Sequence, residues 1–562
     1  MDTIADHLLA RLGDDNPGLV AADQAWSWNE VVEASLARAS WLLAHRKPGP
    51  FHVAVLLDNV PEFVFWLGAT ALTGAITVGA NPTHRGDDLA RDLTHTRCQI
   101  LITDRSHLPL VDGLDFGPDL GTVSTANPSV FVVDDPESQR ALAGTPVADG
   151  LRQPGSAGVD EETLGYLIFT SGSTGAPKAC RCTQGRLARI GSIVAQMYEL
   201  TKESVCYLSM PLFHSNALMA GWSPALAAGA TVALPTGGRF SASGFLPDVR
   251  RHGVTYFNYV GKPLSYILAT PEQPDDADNS LRRVFGNEGA EVDVARFAER
   301  FGCTVVDSYG STEGGATVQR TPDTPRGALG RAPEGTAVID PVSGAECLVA
   351  RFDPEGRLLN AEEATGELVS KTGGAGFEGY WDNDDAEQAR LRNGWYWTGD
   401  LAYRDEQGFF YFAGRSNDWL RVDGENFAAA PVGRILERFP DVVLAVVYAV
   451  PDPVTGDQVM AALQLRPGAS FDADAFTAFL AAQSDMGTKW LPRFVRIAEA
   501  LPITATSKVL IRVLRAERWH GTDPVWWSPE RPGTAYRRLD PSDTTALDTA
   551  VEGRSDASPA TE

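Results

Sequence analysis

The chain has 562 residues, too many for one ordinary core, so roughly two to four domains are expected. Its composition, 43% hydrophobic and 22% charged, is that of a soluble globular protein. A formal net charge of −25 repels phosphate backbones and argues against a nucleic-acid partner, so an anionic substrate has to be met by a local cluster of positive groups.

Taken in chain order, the N-terminus MDTIADHLLARLGDDN has acidic residues where an export signal carries basic ones. Six cysteines in a chain of this length do not make a disulfide framework, and together these features suit a reducing cytoplasm. The first four hundred or so residues alternate apolar β-type runs with helical periodicity, as in HVAVLLDN, PEFVFWLGATAL and CQILITD, which predicts α/β layers. The uncharged stretch FVFWLGATALTGAITVG, Phe63 to Gly79, is long enough to raise the question of a membrane span. Its small residues and its switch to β-branched residues after Gly74 predict instead a buried helix leading into a buried strand, with no integral membrane segment. Gly113 to Asp160 is rich in Pro, Gly, Ser and Asp and reads as surface connection.

The run LGYLIF then predicts a buried strand, and TSGSTGAPKAC follows it, Thr170 to Cys180. Glycines let the backbone approach a ligand, and hydroxyls and free amides are the donors a phosphate oxygen needs, so this is a candidate polyphosphate loop with Lys178 as its cation. It departs from the common nucleotide loop, because Lys178 is followed by Ala179 and not by a hydroxyl residue that would sit on Mg²⁺. The metal ligand has to come from elsewhere. Cys180 and Cys182 form a C-x-C with no second pair nearby, which does not make a tetrahedral metal site.

Further on, GGAGFEG at Gly373 to Gly379 matches G-x-G-x-x-G after the strand-like GELVS. The YWDNDD behind it is full of turn formers where a dinucleotide fold needs a helix N-terminus, so the motif is set aside. Near Gly399 to Arg415, GDLAYRDEQGFFYFAGR predicts a hairpin turning at DEQG. Residues 431 to 439 suit a helix, LAVVYAVPDP a strand, and FDADAFTAFLAAQ a helix opened by an acidic cap. These patterns divide the chain into a large α/β region 1–415, a small α+β region 416–525, and an extension 526–562 expected to be disordered from about 540. No internal repeat is evident.

Several separated stretches belong together: GNEGA at Gly286 to Ala290, DSYGSTEGG at Asp307 to Gly315, TGD ending at Asp400, Arg415, GEN at Gly424 to Asn426, and PITATSK ending at Lys508. In this order, with TSGSTGAPKAC, the set resembles the adenylate-forming superfamily of acyl-CoA synthetases, adenylation domains and luciferases. TSGSTGAPKAC, GNEGAE, YGSTEGG, DGENFAAAPV and the closing DPVWWSP are most similar to its fatty-acid transport protein and very-long-chain acyl-CoA synthetase branch, of the actinobacterial fatty-acid–CoA ligase type.

The resemblance implies a large N-terminal domain of α/β layers with a β-barrel-like subdomain, and a small mobile α+β C-terminal domain. It implies that Thr170, Ser171, Gly172, Ser173, Thr174, Gly175 and Lys178 hold the outer phosphates of ATP, and that Glu313 binds Mg²⁺ with Thr312 on the α-phosphate. Tyr309 would stack on adenine, Asn287, Glu288 and Gly289 would follow the purine edge, and Asp307, Ser308 and Gly310 would belong to the same nucleotide stretch. Asp400 and Arg415 would hold the ribose, though the same two residues could form an ordinary salt bridge. His214, Tyr259, Gly286 and Gly314 would line the acyl pocket, with Lys262 near by motif order, although a lysine before proline also reads as an exposed residue. Asn417 or Asp418 would be the hinge on which the small domain turns between half-reactions.

Lys508 is the lysine expected at the reacting groups. Bringing a carboxylate up to the α-phosphorus joins an anion to a polyanion, so positive charge has to lower the barrier. One lysine about 4 Å from the developing charge is worth on the order of 4 kcal/mol at an effective dielectric of about 20, or about a thousandfold in rate. The implied activity is ATP-dependent acid activation with CoA as acceptor. Other acceptors, nitrite in place of a carboxylate with diazotisation of an aryl amine, and a non-catalytic nucleotide-binding protein are alternatives on the same residues. Acid identity and oligomeric state are not legible.

Overall fold

The computed structural model describes residues 3–148, 150–155, 158–170, 178–289, 291–325, 327–354, 358–374, 376–415, 419–422, 425–452, 456–483, 486–503 and 509–555. The chain forms two compact units. One takes the chain up to Gly315 together with Gly374–Leu391, and the other takes Ala316–Gly373 together with the chain from Arg392 onward. This division differs from the sequence division at 415, because the antiparallel sheet of strands between Thr336 and Arg415 is compact with the chain that follows it.

The first unit holds two sheets of largely parallel strands, as α/β alternation predicts. In the seven-stranded sheet, Thr304–Asp307, Arg283–Asn287, Tyr256–Val260 and Val205–Leu208 are successive parallel neighbours, followed by Thr231–Leu234 and Pro17–Ala21. The six-stranded sheet runs from Val130–Val132 through Ile100–Thr103, His52–Leu56 and Ile76–Gly79 to Leu164–Thr170, and closes on Lys178–Thr183. Its strands read as continuous apolar runs because both faces are buried. Phe63 to Gly79 is a buried helix, Pro61–Thr73, leading into the buried strand Ile76–Gly79. No helix among the described residues is long and apolar enough to cross a membrane. All six cysteines are free thiols.

Gly113 to Asp160 is more than surface connection. Val130–Val132 is a buried strand paired in parallel with Ile100–Thr103, and Phe116, Leu120 and Val123 belong to the core beneath it. The Pro, Gly and Asp residues of this stretch terminate short elements, such as the helix Pro136–Gly144 capped by the Asp135 carboxylate.

In the second unit, Trp395–Arg404 and Phe410–Arg415 form the expected hairpin, with the Phe409 amide and the Tyr411 hydroxyl donating to the turn residue Asp405. The strands around it make an open five-stranded antiparallel sheet. The later sheet is built on the pair Val442–Asp452 and Gly456–Leu465, flanked by the helices Ala429–Leu436 and Ala473–Ala482. The Asp472 carboxylate caps the second helix as its sequence predicts.

The tail departs from expectation. Pro541–Ser555 is helical, with Asp540 accepting from the amides of Ser542 and Asp543 at its start. Leu547 and Val551, one helical turn apart, pack on a core containing Phe494, Leu514 and Trp519, and the Asp548 carboxylate accepts from Trp519 Nε1 at 3.0 Å. Two apolar residues at i,i+4 suffice to dock a helix whose composition otherwise reads as disordered.

Candidate functional site

In the first unit, the strands Val205–Leu208, Tyr256–Val260, Arg283–Asn287 and Thr304–Asp307 are parallel neighbours, so their carboxyl ends open on one edge of the sheet. The segments leaving those ends carry His214, Lys262, Glu288 and the run from Ser308 to Gly314. Residues about a hundred positions apart thus gather where open α/β sheets bind ligands.

GNEGA is built differently from a glycine turn. The residue with left-handed backbone is Glu288, at φ 64°. The glycines make room instead: a Cβ on Gly286 would come within 2.3 Å of the Tyr259 ring, and one on Gly289 within 2.6 Å of its hydroxyl and 2.8 Å of Asp307 Oδ2. Tyr259 is fully buried, and its hydroxyl donates to Asp307 Oδ2 at 2.6 Å, where the Gly289 amide also donates at 2.8 Å. Tyr259, expected among the pocket-lining residues, therefore lies behind Gly286 and supports it. Asn287 fastens the neighbouring loop, its Nδ2 donating to the Ser308 carbonyl at 2.5 Å while its own carbonyl accepts from the Gly261 amide at 2.8 Å. Asp307, Asn287 and Gly286 thus hold the two loops in register, and Glu288 and Gly310 are left exposed, with Tyr309 half-buried. The non-glycine left-handed residue at a loop tip is the kind of stored strain that binding sites retain.

The segment from Thr312 to Gly314 is held from three sides. The Thr312 hydroxyl and the Ser215 hydroxyl are 2.7 Å apart, the Thr312 carbonyl accepts from Arg186 Nη2 at 2.7 Å, and Glu313 Oε1 accepts from the Tyr380 hydroxyl at 2.9 Å. Glu313 is 7% exposed, so this carboxylate is a buried anion met by a neutral donor. Arg186 is itself buried, and no carboxylate comes within ion-pair distance of it among the described residues; its described acceptors include the backbone carbonyls of Arg181 and Thr312. Burial first, and the Glu313 charge next, keep the Tyr380 phenol well above its ordinary pKa, so it remains a donor. Ser215, Arg186 and Tyr380 were not singled out in the sequence. Ser215 stood next to the marked His214, and Tyr380 next to the GGAGFEG that fails as a dinucleotide loop.

Thr170 and Lys178 are register partners at the open end of the antiparallel pair Leu164–Thr170 and Lys178–Thr183. The helix Gln184–Met197 begins only after the second strand of this pair. Lys178 is half-buried; burial and then Arg390 lower its ammonium pKa, while Glu313 pulls it back up. Cys180, two residues on, has its Sγ 3.8 Å from the Thr312 carbonyl oxygen, so this strand adjoins the Thr312 loop. Burial pushes the Cys182 thiol up to about 12 and the Cys180 thiol further, which leaves both as packing groups.

His214 precedes the short helix Ser215–Ala217, which passes into one π-helical turn, Leu218–Trp222; such turns recur at functional sites. Its ring lies 4.4 Å from that of Phe213. Lys262 is half-buried at the head of the helix Pro263–Leu268 and is not the exposed lysine its proline suggested.

Asp400 and Arg415 belong to the second unit, where they face each other across the hairpin ladder. The strand just before Asp400 is held by the buried Glu367, whose carboxylate accepts from the Gly399 amide at 2.7 Å and from Arg392 at 3.1 Å. Ser171, Gly172, Ser173, Thr174, Gly175, Asn417, Asp418 and Lys508 lie outside the described residues.

Comparison with known proteins bears on the whole of this arrangement. A family model described as AMP-binding enzyme matches residues 8–381, and one described as AMP-binding enzyme C-terminal domain matches residues 432–508. Over 547 residues the chain is 50% identical to the steroid-22-oyl-CoA synthetase of Rhodococcus jostii, covering 97% of this chain and 96% of that one. Over 519 residues it is 47% identical to a medium/long-chain-fatty-acid–CoA ligase of Mycobacterium marinum, with 92% and 96% covered. Among solved structures, ATP-bound MatB from Rhodopseudomonas palustris matches with a TM-score of 0.76 at 22% identity, covering 91% of this chain and 98% of that one. A benzoate CoA ligase from Burkholderia xenovorans matches at 0.77 and 20% identity, covering 92% and 100%. At that identity the structural likeness speaks for the fold.

Proposed function

The chain belongs to the AMP-binding enzyme family, and from that premise we propose that it activates a bulky hydrophobic carboxylic acid with ATP and transfers the acyl group to CoA. A carboxylate oxygen attacks the α-phosphorus, the bond to the bridging oxygen breaks, and pyrophosphate leaves. The CoA thiolate then attacks the acyl carbon and AMP departs. The observation that carries this reading is the meeting of Lys178, Thr312 and Glu313 around one loop, a cation, a hydroxyl and a buried carboxylate. In this reading Lys178 offsets charge on the outer phosphates, the Thr312 hydroxyl donates to the α-phosphate, and Glu288, Gly289 and Tyr309 receive the base. Asp400 and Arg415 hold the ribose, and His214 shapes the acyl pocket.

Glu313 would hold Mg²⁺. Mg²⁺ is commonly bound through one or two carboxylates plus substrate phosphates, and a carboxylate with one accepted hydrogen bond retains capacity for it. No group of three or more His, Cys, Asp or Glu suited to a metal occurs among the described residues, so the donor set fits a metal that arrives with the nucleotide. Such an ion neutralises phosphate charge when bound.

Residues 416–525 act in this proposal as the lid that brings Lys508 to the reacting oxygen in the first half-reaction and removes it in the second. The names of the relatives favour a steroid side-chain acid or a medium- to long-chain fatty acid over a small polar one. The test incubates the protein with ATP, Mg²⁺, CoA and a panel of steroid-carboxylic, fatty and aryl acids, with nitrite plus an aryl amine alongside, and identifies products by mass. CoA thioesters of the bulky acids are expected. A diazo product, or adenylate that never reaches CoA, overturns the reading. Lys508→Ala is expected to lower pyrophosphate release about a thousandfold.

A further inference from the structure

We propose that Tyr380 is a positioning residue for the ATP half-reaction: its backbone ties down the strand that leaves the phosphate loop, and its phenol holds the carboxylate of Glu313. The inference rests on the reading of Glu313 given under Proposed function and adds a residue to it.

Residues 379–381 lie along the strand Lys178–Thr183 as a short additional strand. The Arg181 amide donates to the Gly379 carbonyl at 3.0 Å, and the Trp381 amide donates to the Ala179 carbonyl at 2.8 Å. One residue earlier, the Glu378 carboxylate accepts from the Thr183 amide at 2.7 Å and from its hydroxyl at 2.8 Å. Residues 378–381, which overlap the GGAGFEG set aside as a dinucleotide motif, thus hold the exit strand from Ala179 to Thr183.

Tyr380 projects from this added strand and is 3% exposed, with its ring in a small apolar cluster of Cys180, Ala386 and Phe377. Its hydroxyl reaches Glu313 Oε1 at 2.9 Å, across 67 positions of sequence. The same hydroxyl is hydrogen-bonded to Arg390, and a guanidinium only donates, so the phenolic hydrogen is left for Glu313. The carboxylate therefore cannot swing without leaving a buried donor unmet, which costs about 1–3 kcal/mol. Packing alone requires only the ring. The chain Arg390, Tyr380, Glu313 requires the oxygen.

A ligand carboxylate held from behind in this way binds its metal more tightly, and removing such an outer partner typically costs about 10- to 100-fold in metal affinity or activity. The experiment measures ATP binding to the full chain by calorimetry across a magnesium titration and again in EDTA, for the parent protein, Tyr380→Phe and Glu313→Gln, with melting temperatures alongside. Tyr380→Phe keeps the ring and is expected to melt near the parent. Its magnesium midpoint should rise about tenfold, while ATP affinity in EDTA stays unchanged. KM for Mg·ATP should rise with it. If Glu313→Gln loses the magnesium dependence and Tyr380→Phe does not move the midpoint, the role of Tyr380 is overturned and Glu313 stands. If the dependence survives Glu313→Gln, the reading of Glu313 itself falls. Should Tyr380→Phe not fold, Arg390→Gln leaves the ring intact and should move the midpoint in the same direction; an unmoved midpoint there overturns the proposal.

Discussion

Two clusters of polar groups in the first unit invite comparison. One is Asp58, Asp104, His107 and Arg239, just past the carboxyl ends of the neighbouring strands His52–Leu56 and Ile100–Thr103. The other is the Thr312–Gly314 segment with Arg186, Ser215 and Tyr380. In the first, every charge meets its opposite. His107 is 2% exposed with Nδ1 2.8 Å from Asp104 and Nε2 3.7 Å from Asp58, and Asp58 is 2.9 Å from Arg239. In the second, the buried carboxylate is met by a phenol and the buried guanidinium by carbonyls. A cluster paired at contact distance has little left to offer a ligand, whereas one whose buried carboxylate and guanidinium meet Lys178 and Glu378 only at longer range, with no direct ion pair among the described residues, can take up a metal and a phosphate. Between these two clusters, direct charge pairing separates support from site.

The comparison breaks most directly on Glu313→Gln. Loss of the charge should lower adenylate formation on the order of a thousandfold, read as pyrophosphate release, with the melting temperature held. A stable, fully active variant would make the Thr312 segment merely structural. His107→Ala should do the reverse. It leaves Asp104 without its cation while Asp58 keeps Arg239, at a cost on the order of 3 kcal/mol in unfolding free energy, while kcat/KM of the folded fraction is unchanged.

A pH titration sharpens the same contrast. The Asp104 carboxylate, accepting from His107 Nδ1, and then the nearby Asp58 carboxylate raise the His107 pKa to about 9. A group whose folded-state pKa lies above its unfolded value stabilises fully below the unfolded value and loses that contribution as pH climbs through the folded one. Stability should therefore fall between about pH 6.5 and 9, and His107→Ala should flatten that part of the curve of melting temperature against pH. The smallest effect belongs to Ser215→Ala. Losing its hydrogen bond to Thr312 removes about 1 kcal/mol, roughly a fivefold loss in kcat/KM for ATP with stability nearly unchanged.

The same distinction explains what could be read before folding. The helix and strand of Phe63 to Gly79, the hairpin at Asp405 and the cap at Asp472 are local patterns, each complete within one short stretch of chain, and the structure has all three. The strand Val130–Val132 and the helix Pro541–Ser555 were not legible, because each is selected by a surface contributed from elsewhere in the chain. Glu313 was marked by its glycine-rich setting. Tyr380, its partner, was hidden behind a motif of the wrong kind.

What the sequence determined alone was the inventory: glycines where backbones must come close, a lysine beside a hydroxyl loop, an acid among glycines, and the order in which a family arranges them. Tertiary structure decided which of these groups neutralise one another and which stay available. Composition cannot carry that information, since the energy of a buried charge depends on the few ångströms around it, and those ångströms are filled by residues such as Arg186 and Tyr380 that lie far away along the chain.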